Sequence, residues 1–247
     1  MTNSNKNTVL SPEQISTVLD RIERVTTLQD LICTVIKATN IEMLIYHHFS
    51  GPGHNDDKNM PRHFSHNLPA ELEEFLNTHE VKQDYPSVNE TFSSGKPLWI
   101  SDLLEYESVK GFPYENNIKS LMDLTTDGLI VALFGPSGRK GYAFISFKKP
   151  KSHFNPVFEW QIHAMLQMLH VRYCLMLIEL QKKVVLTKRE SEVLGLIALG
   201  KTNPEIGIIL DISKNTVASY LKRIFLKLET SDRVTAVLRA RALNLLP

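Results

Sequence analysis

Apolar positions change rhythm several times along this chain, and each rhythm predicts an element. After Ser11-Pro12-Glu13-Gln14, residues Ile15, Val18, Leu19, Ile22 and Val25 recur at three-and-four spacing, the signature of a helix with one buried face. The Ser–Gln pair is a capping box, and Pro12 stands at the first helical position, where a missing amide does no harm. A second helix is predicted from Leu28 to about Ala38. Met43 to Phe49 is rich in aromatic and branched residues and predicts a strand. Gly128-LIVALF-Gly135 and Gly141-YAFISF predict two buried strands joined by the turn Pro136-Ser137-Gly138-Arg139-Lys140. Helices are further predicted at 69–79, 86–94 and 114–122.

The stretch 154–180 predicts one long helix. Val157, Phe158, Ile162, Met165, Leu166, Leu169, Tyr173 and Met176 can pack on a sheet, while Met168, Val171, Leu175 and Ile178 put apolar surface on other sides. A helix that is apolar on more than one face needs a second partner, of which a second subunit is one and the depth of its own subunit another.

From Val185 the rhythm becomes that of short helices. Thr187 with Glu190, and Thr202 with Glu205, form capping boxes, and Pro204 stands in the first turn of the second helix. Gly200 is placed to end the first helix, and the second ends near Leu210. Ser213 can cap a third helix and Ser231 a fourth. In the third, Val217, Leu221, Ile224 and Leu228 form one apolar stripe, and Asn215, Thr216, Ser219, Lys222 and Arg223 fall opposite it. A short helix, a tight turn and an amphipathic helix with a basic outer face fit a helix-turn-helix, whose outer helix lies in the DNA major groove. A small bundle with a solvated charged face has the same pattern.

Charge sharpens this picture. The 247 residues carry a net charge of only +1. From Lys182 onward, however, there are 12 Lys and Arg against 6 Asp and Glu, and before it 16 against 21. A small basic module behind a larger acidic one suits a polyanion reader attached to another domain. With 43% hydrophobic residues the chain can bury a core, and its length suits two unequal folded units. Two cysteines, Cys33 and Cys174, make no disulfide framework and point to a reducing compartment, where they are read as small buried hydrophobes. The N-terminus lacks the apolar core of a signal peptide, and no apolar run is long enough to span a bilayer. A cytoplasmic protein with no membrane partner is expected.

Enzyme motifs do not survive inspection. Gly135, Gly138 and Gly141 imitate a phosphate-binding loop, but a strand rather than a helix follows them. Gly135-Pro136-Ser137-Gly138 lacks the spacing of a nucleophile elbow. Histidines 47, 48, 54, 63 and 66 cluster in sequence without the helical pairing of a zinc site, and are read as surface or loop residues. No catalytic residue, metal or cofactor is expected. An enzyme with a regulatory DNA-binding tail stays the alternative from another class.

The C-terminal residues closely resemble the DNA-binding domain of LuxR-type transcription regulators. The matching residues are Leu186-Thr187, Arg189-Glu190, Val193-Leu194, Gly200-Lys201-Thr202-Asn203, Glu205-Ile206, Ile212-Ser213, Thr216-Val217, Ile224 and Lys227-Leu228. Tyr220 departs from the histidine common in the family, although its hydroxyl can still meet a phosphate. On this resemblance, base reading is assigned to Asn215, Ser219 and Lys222, and backbone positioning to Lys201, Thr202, Asn203, Thr216, Tyr220, Arg223 and Lys227.

Residues 15–178 resemble the autoinducer-binding domain of the same family, most clearly through G-L-x-x-x-L-x-G-x-x-G-x-x-G from Gly128 to Gly141. Pro86, Pro97-Leu98-Trp99 and Gly128 fit family positions associated with the acyl-homoserine-lactone pocket. Leu68 and Leu72 stand where a pocket Tyr and Trp are usual, Tyr85 stands at the usual acidic position with Asp84 before it, and Phe144 lies near a common small hydroxyl residue. Leucine cannot supply those hydrogen bonds, at a cost of about 1–3 kcal/mol per contact. The resemblance therefore implies either a signal other than a lactone or a pocket filled by its own side chains. The lining candidates are Leu68, Leu72, Tyr85, Trp99, Ile130 and Phe144, each of which could equally be core packing.

The fold implied is α+β: an N-terminal sensor over residues 1–181, an antiparallel sheet flanked by helices as an α/β/α sandwich that also dimerises. A small all-α, four-helix helix-turn-helix domain over 182–247 follows it. The partners implied are double-stranded promoter DNA with an inverted repeat, a small-molecule signal and a second copy of the chain, with RNA polymerase as a further partner.

Overall fold

The computed structural model describes residues 9–39, 41–54, 62–70, 73–74, 86–103, 125–180 and 184–246. Leu72, Asp84, Tyr85, the expected helix 114–122 and most of the expected helix 69–79 lie outside the described residues. The chain divides into one unit of Met1–Phe49 with Lys58–Met176, and another of Ser50–Asp57 with Leu177–Pro247.

In the first unit, the capping box starts α1 (Pro12–Arg24): the Gln14 amide donates to Ser11 Oγ at 3.2 Å, and the Ser11 amide donates to Gln14 Oε1 at 2.9 Å. Helix α2 (Leu28–Thr39) follows and packs on α1. All seven residues of β1 (Met43–Phe49) are buried, because this strand lies inside the sheet. The remaining strands are β2 (His63–His66), β3 (Leu98–Trp99), β4 (Asp127–Phe134) and β5 (Lys140–Phe147). Their order is β2-β1-β5-β4-β3, and every neighbouring pair is antiparallel. The β4–β5 hairpin turns through Pro136–Gly138, where Ser137 and Gly138 take φ of 58° and 76°.

The register sorts side chains onto two faces. Leu98, Ile130, Phe144 and Ile45 lie across from one another on one face, which is covered by Val88 and Phe92 of α3 (Pro86–Ser94) and by Ile100 and Leu103 of α4 (Ile100–Leu103). Trp99, Leu129, Ile145 and Leu44 lie on the other. That second face meets the long helix α5 (Pro156–Leu180), as the Tyr46 hydroxyl pairing with His170 at 2.7 Å records. The Gln161 side chain ties α5 to the backbone of Leu10 just before α1. Among the described residues no helix is long and apolar enough to cross a membrane.

Three expectations for this unit need correction. Strands β2 and β3 were not predicted: one is a four-residue, half-buried HFSH edge and the other two residues long, too little for a period to register. His47 and His48, read as surface residues, are buried on β1, because an inner strand covered on both faces hides polar residues too. Burial first, then His63, His48 and Arg62, pulls the His47 imidazole down to about 4, so it is held neutral. Val157, expected on the sheet, is 53% exposed in the first turn of α5, whereas Phe158, Ile162, Met165, Leu166, Leu169, Tyr173 and Met176 are buried.

The second unit is built of α6 (Lys188–Ala198), α7 (Asn203–Leu210), α8 (Lys214–Leu228) and α9 (Arg233–Ala242). Val193, Leu194, Ile197, Ile206, Val217, Leu221, Ile224, Leu228, Ala236 and Ala240 form its core. The Thr187–Glu190 capping box is present, with the Thr187 amide donating to Glu190 Oε2 at 2.7 Å and the Glu190 amide to Thr187 Oγ1 at 3.3 Å. Gly200, at φ +80°, ends α6 as expected. The fourth helix is capped one residue later than expected. Asp232, not Ser231, accepts the Val234 and Thr235 amides, since a carboxylate is the stronger acceptor.

Candidate DNA-reading face and sensor core

The turn between α7 and α8 is fixed by backbone. Asp211 takes φ 53°, the Ile212 amide donates to the Gly207 carbonyl at 2.9 Å, and a Cβ on Gly207 would lie 2.7 Å from the Ile212 carbonyl oxygen. Only a glycine lets the chain fold back this closely. Ser213 Oγ then accepts the Thr216 amide at 3.1 Å, so the caps and the turn together set the direction of α8.

Helix α8 divides as the pattern implies. Val217, Leu221, Ile224 and Leu228 are buried, and Asn215, Ser219, Lys222 and Arg223 are exposed on the opposite side. Thr216 and Tyr220 are half-buried at its flank, and the Arg223 guanidinium lies 5.9 Å from the Tyr220 ring centroid. Lys201, Thr202 and Asn203 stand together at the start of α7, where the Thr202 amide and hydroxyl both donate to the Glu205 carboxylate at 2.8 and 2.6 Å. Lys201 Nζ is 3.8 Å from Glu205 on an exposed pair. Nine of the ten expected DNA contacts are thus grouped on α8 and at the α7 N-terminus, without an internal ion pair between buried groups.

Lys227 is the exception. Its Nζ is 2.6 Å from Glu190 Oε2 and donates to the Val185 carbonyl at 3.1 Å, tying the last turn of α8 to the first turn of α6. The Glu190 side chain is only 3% exposed. Burial by itself would raise that carboxyl, but Lys227 and the amide and hydroxyl of Thr187 outweigh it and hold it below the ordinary glutamate range. Lys227 is thereby a tie between the two helices. Leu226, absent from the expected contacts, is 81% exposed and follows Asn215, Ser219 and Lys222 at helical spacing. That spacing was its one available signal.

In the first unit, Leu68, Ile130 and Phe144 come together in the apolar cluster beneath α3 and α4, with Ile45, Phe49, Leu98 and Tyr142. The Phe144 ring lies directly over Gly128, so any side chain at 128 would run into it. Trp99 is not with them. It faces the α5 side, stacked on Phe154 at 5.5 Å and beside Phe147 at 5.9 Å, and its buried indole N–H has no hydrogen-bond partner among the described residues. Phe147, Phe154, Phe158, Ile41 and His66 help line a cleft of about 360 Å³, and of the expected lining residues that are described, Leu68, Trp99, Ile130 and Phe144, none lines it.

Comparison with known proteins agrees with this geometry. Residues 184–240 match the family of bacterial regulatory proteins named for LuxR. The protein y4qH of Sinorhizobium fredii, named as an HTH-type transcriptional regulator, is 30% identical over 169 residues, 65% of this chain and 50% of y4qH. The regulatory protein SdiA of Escherichia coli is 26% identical over 168 residues, 64% of this chain and 65% of SdiA. The chain thus matches between half and two thirds of the length of these relatives. A solved structure of SdiA in complex with octanoyl-rac-glycerol superposes with a TM-score of 0.68 at 20% identity, covering 94% of both chains. Residues 184–240 thus form a domain of the luxR family of bacterial regulatory proteins. Its antiparallel sheet with flanking helices, followed by a helical helix-turn-helix region, is an SdiA-like fold.

Proposed function

We propose that this protein is a cytoplasmic transcription regulator that binds inverted-repeat promoter DNA as a homodimer and responds to a small molecule bound in its first unit. The observation that carries the reading is the outer face of α8, where Asn215, Ser219, Lys222 and Arg223 stand exposed on a helix aimed by the Ser213 cap and the Gly207 turn. In this reading Asn215, Ser219 and Lys222 meet base edges, and Lys201, Thr202, Asn203, Thr216, Tyr220 and Arg223 hold phosphates. Self-association is supported by one stripe along α5. Val157, Trp160, Met168 and Leu175 are 53%, 50%, 45% and 40% exposed and share a helical face. Two copies joined there would present α8 helices to half-sites about 34 Å apart, with RNA polymerase as the partner through which transcription changes.

The signal we propose is an apolar molecule without a lactone ring. Leu68 offers no hydrogen bond at its family position, and the related fold of SdiA holds an octanoyl glycerol. A second reading, a regulator that needs no ligand, is favoured by the packing of Phe144 over Gly128 and of Leu68 against the apolar cluster that holds Ile130 and Phe144. The melting temperature of the full chain with acyl-homoserine lactones, with octanoyl glycerol and with extract of its source culture separates these. A bound ligand at a hundredfold excess over Kd stabilises by about 2.7 kcal/mol. A rise with octanoyl glycerol or extract alone supports the non-lactone signal, a rise with lactones refutes it, and no rise favours the filled core.

A further inference from the structure

Between the sheet and α5 the first unit buries a cluster that no part of DNA recognition uses. His170 and Cys174 stand one helical turn apart on α5, and His48 of β1 faces them. All three are buried, and one ligating atom from each lies within 4.8 Å of the others. Cys174 Sγ and His170 Nε2 are 3.5 Å apart. A trigonal ion with a metal–nitrogen bond of about 2.0 Å and a metal–sulfur bond of about 2.2 Å needs about 3.6 Å between those two atoms. The helix pair is therefore already at ligating distance, and His48 closes on it by a side-chain movement of about 1 Å, given those bond lengths.

The surroundings orient this set. The Tyr46 hydroxyl lies 2.7 Å from His170 Nδ1. With the Nδ1 proton donated to that oxygen, the Nε2 lone pair is directed at Cys174, the arrangement that outer groups impose on metal-binding histidines. The bare backbone of the β4–β5 hairpin closes the far side. A Cβ on Gly141 would lie 2.8 Å from His170 Cε1, and one on Gly135 would lie 2.6 Å from Cys174 Sγ. The ring and the thiol are held against the hairpin with no side chain between.

We propose that His48, His170 and Cys174 form a buried site for a monovalent copper ion, which fastens α5 to the sheet. The donor set is two imidazoles and a thiolate, which suits soft cations. Charge selects among them. On binding, the Cys174 thiol releases its proton to solvent, and a monovalent ion with the thiolate is then neutral overall. A divalent zinc would leave a net positive charge buried beside Arg139, itself 1% exposed. Three protein ligands in a dry site also complete the shell of a three-coordinate ion, whereas zinc takes four.

The test uses the full chain, reduced and under anaerobic conditions, titrated against the coloured complex of monovalent copper with bicinchoninate. We expect the protein to withdraw one ion per chain and to melt at a higher temperature when loaded. Cys174→Ser and His170→Gln should abolish withdrawal, and Cys33→Ser should leave it intact. Failure to withdraw copper overturns the proposal, as does retention by Cys174→Ser or loss in Cys33→Ser. Uptake of zinc in preference to copper overturns the choice of ion. Should Cys174→Ser fail to fold, X-ray absorption of the loaded wild type decides, with one sulfur and two nitrogen neighbours expected and any shell lacking sulfur contradicting the site.

Discussion

Replacing Lys227 with Met separates a structural cation from a DNA-binding one. The change leaves the Glu190 carboxylate, 3% exposed, with only the Thr187 groups and no countercharge. Removing one partner of a fully buried pair costs about 3–5 kcal/mol. Lys227 is 35% exposed, so water offsets part of the loss, and about 2 kcal/mol is the expected cost. Hydrogen exchange of α6 and α8 amides in the full chain reads this directly. A loss of 2 kcal/mol in opening free energy corresponds to about 30-fold faster exchange, at about 1.4 kcal/mol per tenfold. DNA binding, measured where the variant is folded, should keep its salt dependence. Arg223→Met should do the reverse, leaving exchange unchanged while binding weakens on all sequences and the salt slope falls by about one. Unchanged exchange in Lys227→Met together with a shallower salt slope would instead make Lys227 a contact to the phosphate backbone.

Two glycines of the second unit should answer the same substitution with opposite signs. Gly207→Ala meets the Ile212 carbonyl at 2.7 Å and should destabilise the unit by about 1–3 kcal/mol, whereas Gly195→Ala has open space and should stabilise it by about 0.5–1 kcal/mol; denaturant melts compare them. Leu175→Glu, on the exposed stripe of α5, should give a soluble monomer by light scattering and weak operator binding, and an unchanged dimer would move the interface elsewhere. Acid should loosen the second unit through Glu190. Its carboxyl is held below the ordinary range in the fold, so its contribution is full above the unfolded value and is lost as pH falls through the folded one; exchange that is flat across that window would contradict this.

Local chemistry was legible in the sequence and distant geometry was not. The caps at Ser11, Thr187 and Ser213 and the breaks at Gly200 and Leu210 depend on residues within a turn of each other, and each lies where its pattern implies. The β4–β5 hairpin and the length of α5 were readable for the same reason. Trp99 was grouped with Ile130 and Phe144 because family position does not state register, and one residue along β3 separates its face from that of Leu98. Lys227 finds Glu190 across 37 residues, and His48 meets Cys174 only through the packing of strand on helix, so neither pairing leaves a trace in spacing. Asp232 took the cap expected of Ser231 by a difference of one residue, the scale on which capping competition is decided by acceptor strength.

Reading of DNA by the outer face of α8 is put to the test by selecting binders for the 247-residue chain from a random duplex pool. An inverted repeat with half-sites about one helical turn apart is expected, with an affinity that falls steeply with salt. Asn215→Ala and Lys222→Ala should each relax the preference at particular positions, by about 1–3 kcal/mol per base pair. A pool that shows no enriched sequence, or an enriched one that both variants bind unchanged, would contradict it.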